Sequence, residues 1–326
     1  MKKSLNVAVV GATGLIGSKF IPVLEKRNFP INKLKVFASK KSEGKKIRAF
    51  GTEHVVQPLD NGCFVGIDLV FFSAEKEISL KYAPIAVNEG AYVIDNSSAF
   101  RENPQIPLII PEINGNILQT TNARLIANPN CSTSIAILPL LALEKNFGLK
   151  KIIYTTYQAV SGSGQKGLAD LIRCRNGKTP TFYQTDVSKN FIPKIGGYSI
   201  FGYTEEEVKM IKETKKILGK EVSVSATCVR VPVENCHGIS VEVELEKEFY
   251  DEDIKSLFRK IEGATFYELP TPNIADGKDE VFIGRIKRSL AFKNGLSYFC
   301  VGDNTLKGAS LNAVQIAEKL IEYGKI

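Results

Sequence analysis

The segment that most restricts the fold is Gly11-Ala12-Thr13-Gly14-Leu15-Ile16-Gly17. It follows an apolar run rich in β-branched residues, Leu5–Val10, and opens a stretch of helical character over 16–27, in which Pro22 is the one discordant residue. Glycines at this spacing, between a strand and a helix, permit a tight turn and let the backbone approach a diphosphate. The helix N-terminus then supplies unpaired N–H groups and the positive end of its dipole. An ordinary strand–helix turn is the other reading of the same string.

The surrounding pattern supports a nucleotide-binding domain. Further strands are predicted over 34–38, 69–73 and Tyr92–Asp95, with a helix over 78–88 between the last two. Strand, crossover and strand at this spacing give a parallel sheet covered by helices. The strands are almost wholly apolar, as expected where both sheet faces are buried. After Cys131 the texture changes. Helices are predicted over 133–145 and Glu205–Leu218, and strands over 151–160, 222–233, 238–246, 281–287 and 296–301. Clustered strands with few crossovers indicate a mixed or antiparallel sheet in a second domain. A closing helix is predicted over 308–323.

A length of 326 residues agrees with two domains. With 44% hydrophobic and 24% charged residues, the composition is that of an ordinary globular protein. The net charge of +8 is compatible with acidic ligands, but the bases are spread along the chain, so no nucleic acid partner is implied. No stretch reaches the roughly 18–20 apolar residues that span a bilayer. The basic Met1-Lys2-Lys3-Ser4 leads into an apolar run too short for a signal core, so the expected compartment is the cytoplasm. Six cysteines form no CxxC pair and only two histidines are present, which argues against a zinc site or a secreted disulfide framework. No metal is expected.

The second strand leads into Ser39-Lys40-Lys41-Ser42-Glu43-Gly44-Lys45-Lys46. NAD sites usually place an acid at that strand end to accept from the ribose hydroxyls. Hydroxyls and positive charge there suit a 2′-phosphate, which favours NADP(H); a solvated charged loop is the bland alternative. Asn128-Pro129-Asn130-Cys131-Ser132-Thr133 stands just before an apolar helical stretch. Cys131 at a helix start would be favoured as thiolate, the species that attacks a carbonyl carbon, although a buried inert cysteine fits the context equally well. Of the two histidines, His54 lies in the first domain and His237 in the second, seven residues after Arg230. His237 and Arg230 could face one pocket from adjacent segments, or His237 could be a loop residue with no role.

Taken in order, several strings resemble the aspartate-semialdehyde dehydrogenase family along nearly the whole chain. They are the glycine loop at 11–17, Asp95-Asn96-Ser97-Ser98-Ala99-Phe100-Arg101, Asn128 to Thr133, Tyr157-Gln158-Ala159-Val160-Ser161-Gly162-Ser163-Gly164, Arg230-Val231-Pro232-Val233 with His237, Gly302-Asp303-Asn304, and Lys307-Gly308-Ala309. The resemblance implies an α/β fold: a Rossmann-type NADP-binding domain over 1–129, an α+β catalytic and dimerisation domain with a mixed sheet over 130–303, and a C-terminal helix over 304–326 returning to the first domain. It implies a homodimer, in some members a tetramer. The implied reaction is reversible. NADPH reduces L-4-aspartyl phosphate to L-aspartate 4-semialdehyde and inorganic phosphate, through a cysteine thioester, in lysine, methionine and threonine biosynthesis.

Carried over residue by residue, the resemblance makes Cys131 the nucleophile, His237 the acid/base and Gln158 a substrate-positioning residue. Arg230 would bind the substrate's α-carboxylate, Glu206 its amino group, Arg101 and Lys209 the phosphate, and Asn130 would also touch substrate. The cofactor would be held by Gly11, Thr13, Gly14, Leu15, Ile16, Gly17, Ser39, Lys41, Ser73, Ser161, Gly162 and Asn304. Glu213 with Lys216 repeats the spacing of Glu206 with Lys209, so either pair could serve. Two departures stand out: Glu75-Lys76-Glu77 replaces an expected glycine-rich passage, and Lys41 stands where arginine is common. The alternatives are N-acetyl-γ-glutamyl-phosphate reductase, an acyl-CoA reductase of related fold, and a non-catalytic homologue kept for interaction. The first typically has Asn-Pro-Gly-Cys-Tyr-Pro around its cysteine, unlike Asn130-Cys131-Ser132-Thr133.

Overall fold

A computed structural model describes residues 4–326. The chain divides into two compact units, one comprising Met1–Pro129 with Ala309–Ile326 and the other Asn130–Gly308.

The first unit is built on a parallel sheet of β1 (Leu5–Val10), β2 (Ile31–Phe37), β5 (Leu69–Phe72), β6 (Tyr92–Asp95) and β7 (Leu125–Ala127), in the order β2-β1-β5-β6-β7. A short hairpin of β3 (Lys46–Ala49) and β4 (Thr52–Val55) stands beside it. The apolar runs are buried because helices cover the sheet. Val10, Phe37, Val70, Phe72 and Val93 form one cluster with Phe64, Ala83 and Ala86. The helix Gly17–Lys26 starts directly after the glycine loop, and Pro22 is accommodated inside it. The helix Leu311–Glu322 belongs to this unit. Its buried Asn312 donates to Ile109 O at 3.0 Å and to Asn128 Oδ1 at 2.7 Å, and Glu318 forms a two-pronged pair with Arg27.

The second unit has a six-stranded mixed sheet. Its strands are β8 (Leu149–Gln158), β9 (Ser223–Arg230), β10 (His237–Leu245), β11 (Ala264–Phe266), β12 (Val281–Ser289) and β13 (Gly295–Gly302), in the order β11-β12-β13-β10-β8-β9. β8 runs parallel to β9 and antiparallel to β10, which in turn is antiparallel to β13. Register decides what this sheet presents. Gln158 pairs with Arg230 at the ends of β8 and β9, Gly238 pairs with Tyr157, and His237 pairs with Gly302. The end of β8, the end of β9, the start of β10 and the end of β13 therefore share one edge.

The helical stretch read as 133–145 is two helices, Cys131–Ala136 and Leu138–Phe147. Pro139 near the start of the second explains the break. It has no N–H to donate, and its ring crowds the carbonyl four residues back. The helix Glu205–Leu218 matches its predicted span. A reciprocal Thr204–Glu207 capping box starts it and left-handed Gly219 ends it. Its buried face carries Glu206, Glu207, Met210, Glu213, Thr214 and Ile217, a helical stripe containing three acids.

Candidate active site

In the first unit the glycine loop sits at the carboxyl ends of β1 and its neighbours β2 and β5, where the strand order reverses and α/β sheets bind ligands. Gly11 N and Ala12 N both donate to Phe37 O. Gly11 has φ +82°, and a Cβ on it would lie 2.1 Å from the Ser73 carbonyl oxygen. A Cβ on Gly17 would lie 1.9 Å from Gly11 O. Backbone thus crosses backbone at distances only glycine permits. The helix that follows has no acid in its first turn and no side-chain cap, so its leading N–H groups suit an anion. Leu15 and Ile16 lead into it. Ser39 precedes a short 3-10 turn, Lys40–Ser42, that carries Lys41, and Ser42 Oγ lies 3.2 Å from Thr13 Oγ1, joining the second loop to the first. The glycines and the open helix end fit the diphosphate of a dinucleotide. Glu75 stands just before the helix Lys76–Asn88, in extended conformation, two residues past Ser73.

Arg101 is buried in this unit. Its Nε donates to Asn128 O at 2.9 Å and Nη2 to Asn96 O at 2.6 Å. Neither amide atom of the buried Asn96 side chain has a partner, a polar signal the sequence reading left without a role. Neighbouring Asp95 accepts from Ser79 and Ser97, while burial pushes its carboxyl above the ordinary range.

In the second unit, Cys131 is the first residue of the helix Cys131–Ala136, and that helix packs on β10 and β13. Asn130 is its N-cap. The side-chain Oδ1 accepts from Ser132 N at 2.9 Å and Thr133 N at 3.3 Å. Asn130 Nδ2 donates to Glu206 Oε1 at 2.8 Å, and Asn130 N donates to Glu213 Oε2 at 2.6 Å. Two of the three buried acids of Glu205–Leu218, Glu206 and Glu213, therefore hold the residue before the cysteine. Glu206 also accepts from Gln158 Nε2 at 3.3 Å and pairs with Lys209 at 3.5 Å. Four of the residues singled out from sequence, Asn130, Gln158, Glu206 and Lys209, meet around one carboxylate. Glu213 is engaged with main chain, a role that neither spacing nor charge could distinguish from that of Glu206. Gly308 covers the cysteine: a Cβ there would lie 2.9 Å from Cys131 Cβ.

The shared sheet edge assembles the remainder. Arg230 Nη1 donates to Ala159 O at 2.5 Å, and Ala159 N donates to His237 Nδ1 at 3.1 Å. One residue, directly after Gln158, thus orients both the guanidinium and the imidazole. His237 is fully buried and its Nε2 has no partner. Burial, and secondarily the positive charge of Arg230, hold its pKa well below that of an ordinary imidazole. Gly162 keeps the space beside this nitrogen open, since a Cβ there would lie 2.8 Å from Arg230 Nη1 and 3.1 Å from His237 Nε2.

Ser161 and Asn304 lie in this second unit and hydrogen-bond each other, Asn304 Nδ2 donating to Ser161 Oγ at 2.9 Å. Asn304 Oδ1 accepts from Cys236 N, which fixes the left-handed residue before His237. The adjacent Asp303 accepts from Asn235 Nδ2, Gly277 N, Thr305 and Leu306 N. Cys236, Asp276 and Asp303 bring ligand atoms within 4.8 Å of one another, a grouping their scattered positions in the sequence concealed. Asp303 in this grouping is buried and Asp276 exposed, and both carboxylates accept hydrogen bonds from N–H groups. Among the described residues no helix is long and apolar enough to cross a membrane.

Comparison with known proteins agrees with this geometry. Residues 6–121 match the semialdehyde dehydrogenase NAD-binding domain, and residues 139–307 match the semialdehyde dehydrogenase dimerisation domain. The chain is 42% identical to aspartate-semialdehyde dehydrogenase of Aquifex aeolicus, over 98% of this chain and 99% of that protein. It is 41% identical to the Bacillus subtilis enzyme, over 98% of each. The crystal structure of aspartate-semialdehyde dehydrogenase II from Vibrio cholerae, complexed with ASA, superimposes with a TM-score of 0.94 at 37% identity, covering 98% of this chain and 99% of that one. The chain therefore belongs to the aspartate-semialdehyde dehydrogenase family, oxidoreductases of amino-acid biosynthesis with a Rossmann domain and a mixed-sheet catalytic domain.

Proposed function

We propose that the chain reduces L-4-aspartyl phosphate to L-aspartate 4-semialdehyde and inorganic phosphate through a thioester on Cys131, with NADP(H) as its nicotinamide cofactor. The observation that carries this reading is the composition of one sheet edge. A buried imidazole with an unpartnered Nε2, a guanidinium and Gln158 lie together there, with the cysteine-bearing helix packed on the same sheet.

Cys131 adds to the acyl carbon, favoured as thiolate by the N–H groups at the helix start. His237 Nε2 serves the carbonyl oxygen. Arg230, with only Nη1 engaged by Ala159 O, presents the rest of its fork to the α-carboxylate. Glu206 takes the ammonium group, Gln158 orients the substrate, Asn130 supports both, and Lys209 attracts the phosphate. Arg101 is a further candidate phosphate ligand in the first unit. NADP(H), when bound, supplies the hydride in the biosynthetic direction and accepts it in the other. Gly11, Thr13, Gly14, Leu15, Ile16, Gly17 and Ser73 would hold its diphosphate, and Ser39 and Lys41 its 2′-phosphate. Ser161, Gly162 and Asn304 are the remaining candidates, and their hydrogen bonds within the second unit also give them a positioning role for His237. A homodimer is supported by apolar side chains left exposed on the second unit, among them Phe191, Tyr198 and Phe201.

The test follows formation of reduced nicotinamide with L-aspartate semialdehyde, phosphate and NADP⁺, with NAD⁺, phosphate-free and Cys131→Ala arms. Activity that requires phosphate and Cys131 and prefers NADP⁺ supports the reading. Activity without Cys131, or none with folded protein and fresh substrate, overturns it.

A further inference from the structure

We infer that Glu213 is a positioning residue for the nucleophile: its carboxylate grips the main chain of Asn130, sets where Cys131 starts its helix, and touches no part of the substrate. The inference deepens the reading above and rests on Cys131 being the nucleophile.

The position of a side chain at a helix start follows from the residue before it. Asn130 is extended, with ψ 144°, and turns the chain into the helix Cys131–Ala136. Its Oδ1, accepting from Ser132 N and Thr133 N, fastens that helix to itself. A cap of this kind fixes the turn but not its place in the protein. Two other hydrogen bonds do that: Nδ2 to Glu206 Oε1 at 2.8 Å, and main-chain N to Glu213 Oε2 at 2.6 Å. The two differ in what substrate does to them. Glu206 also accepts from Gln158 and pairs with Lys209, and under the reading above it takes the substrate's ammonium group. Its hold on Asn130 is therefore shared out when substrate docks. Glu213 lies buried about two helical turns further on, and its bond is made to main chain. That bond is short and charge-assisted, the strong class of hydrogen bond.

What Glu213 holds Asn130 against is the sheet. The helix Glu205–Leu218 is fastened to β9 where Glu207 Oε1 accepts from Cys228 N at 2.9 Å, and to β8 where Thr214 Oγ1 and Tyr154 OH lie 3.0 Å apart. Thr214 directly follows Glu213, so the carboxylate starts from a pinned point. β8 and β9 end in register at Gln158 and Arg230, and β10 begins at His237. The groups that meet substrate and the segment that carries Cys131 are thus referred to one platform. Such a platform sets the distance between sulfur and acyl carbon, and a misplacement of about 1 Å costs about 10²-fold in rate. Loss of the Glu213 bond leaves the cap, the thiol and the substrate contacts in place and loosens only their alignment. Its signature is a fall in kcat at constant KM.

The experiment compares Glu213→Ala, Glu213→Gln and Glu213→Asp in the semialdehyde, phosphate and NADP⁺ assay, with Cys131→Ala and Glu206→Gln alongside. Glu213→Ala should lower kcat by about 10–10²-fold, with KM for L-aspartate semialdehyde within about twofold of wild type. Glu206→Gln should instead raise that KM. Gln keeps an acceptor at the right reach and should recover most of the loss seen in Ala. Asp keeps the charge but withdraws it from Asn130 N, and should do no better than Ala. Recovery by Asp and not by Gln makes charge the active property and overturns the inference. A raised KM at unchanged kcat in the Glu213 variants marks a substrate contact and also overturns it. The comparison of Asp with Gln stands even where Glu213→Ala does not fold. Alkylation of Cys131 by iodoacetamide, located by mass spectrometry, reads the thiol apart from turnover. Its rate in the Glu213 variants that lack the charge should be at least that of wild type, because a small free electrophile needs no alignment and the charge removed is negative. A rate that falls in step with kcat places the defect in the thiol itself and overturns the positioning role. If Cys131→Ala is inactive while all three Glu213 variants turn over like wild type, the thioester reading stands and the inference falls; an active Cys131→Ala removes the thioester reading and the inference with it.

Discussion

Asn130 gives the sharpest quantitative test, because two opposing effects act on one side chain. Its Oδ1 caps a helix and its Nδ2 reaches the buried Glu206 carboxylate at 2.8 Å. Losing the cap costs about 1 kcal/mol. Losing a hydrogen bond to a charged group costs about 1.5–3 kcal/mol, and the lower end applies because Glu206 keeps Gln158 and Lys209. Asn130→Ala should therefore destabilise by about 2–3 kcal/mol. Asn130→Ser keeps a capping hydroxyl and should fall between Ala and wild type. Asn130→Asp is the informative case. Asp is as good a cap as Asn, and its charge at a helix N-terminus is worth about 0.3–1 kcal/mol. It also replaces the donor to Glu206 with a second carboxylate, and two unit charges about 4 Å apart repel by about 4 kcal/mol in an effective dielectric of about 20. Repulsion wins, so Asp should be less stable than Ala at about pH 8. One of the paired acids then takes up a proton more readily folded than unfolded, so folding binds protons and the Asp variant regains stability as pH falls. Urea unfolding followed by circular dichroism at about pH 8 and about pH 5 reads this directly. An Asp variant as stable as Ala at the higher pH, or one with the pH dependence of wild type, would refute the reasoning.

Two further outcomes follow from the same geometry. His237 is buried neutral with its pKa depressed, so its contribution to stability is whole above about pH 6.5 and declines as pH falls below that value, where the unfolded chain binds the extra proton. Wild type should lose up to about 1.4 kcal/mol per pH unit there relative to His237→Asn, which keeps an acceptor for Ala159 N–H; parallel urea curves would contradict this. Gly11→Ala places a methyl 2.1 Å from the Ser73 carbonyl in a left-handed conformation, so it should cost at least about 1–2 kcal/mol in stability and weaken NADP⁺ binding in calorimetric titration. Wild-type affinity in that variant would remove the glycine loop from the cofactor site.

What the sequence made legible was local. The glycine loop, the strands that flank it and the cysteine ahead of a helix are contiguous patterns whose physics acts within a few residues. Glu205–Leu218 was readable to its ends because its start and stop signals, a Thr204–Glu207 box and Gly219, are adjacent to it. The break at Ile137 was also written in the chain, as Pro139, but an apolar run on both sides masked it. The partnerships that define the site join Asn130 to Glu213, Ala159 to His237 and Cys236 to Asn304. These are fixed by sheet register and by which helix face is buried. Periodicity places Glu206 and Glu213 on one face yet cannot say that one meets a side-chain amide and the other a main-chain N–H. Grouping Cys236, Asp276 and Asp303 likewise needed the turn between strands.

Arg230 and Ala159 both act on the His237 ring, and they differ in what substrate does to them. A carboxylate docked on the guanidinium offsets its charge, which relaxes the electrostatic pressure that keeps the imidazole neutral. The N–H of Ala159 carries no net charge to offset, and its direction is set by the β8 backbone and by the hydrogen bond from Arg230 to its own carbonyl. A substrate carboxylate that draws Arg230 toward itself therefore weakens one restraint on the ring and leaves the other in place. The orientation of the ring is held by main chain, whose geometry no side-chain substitution at 159 short of proline can remove.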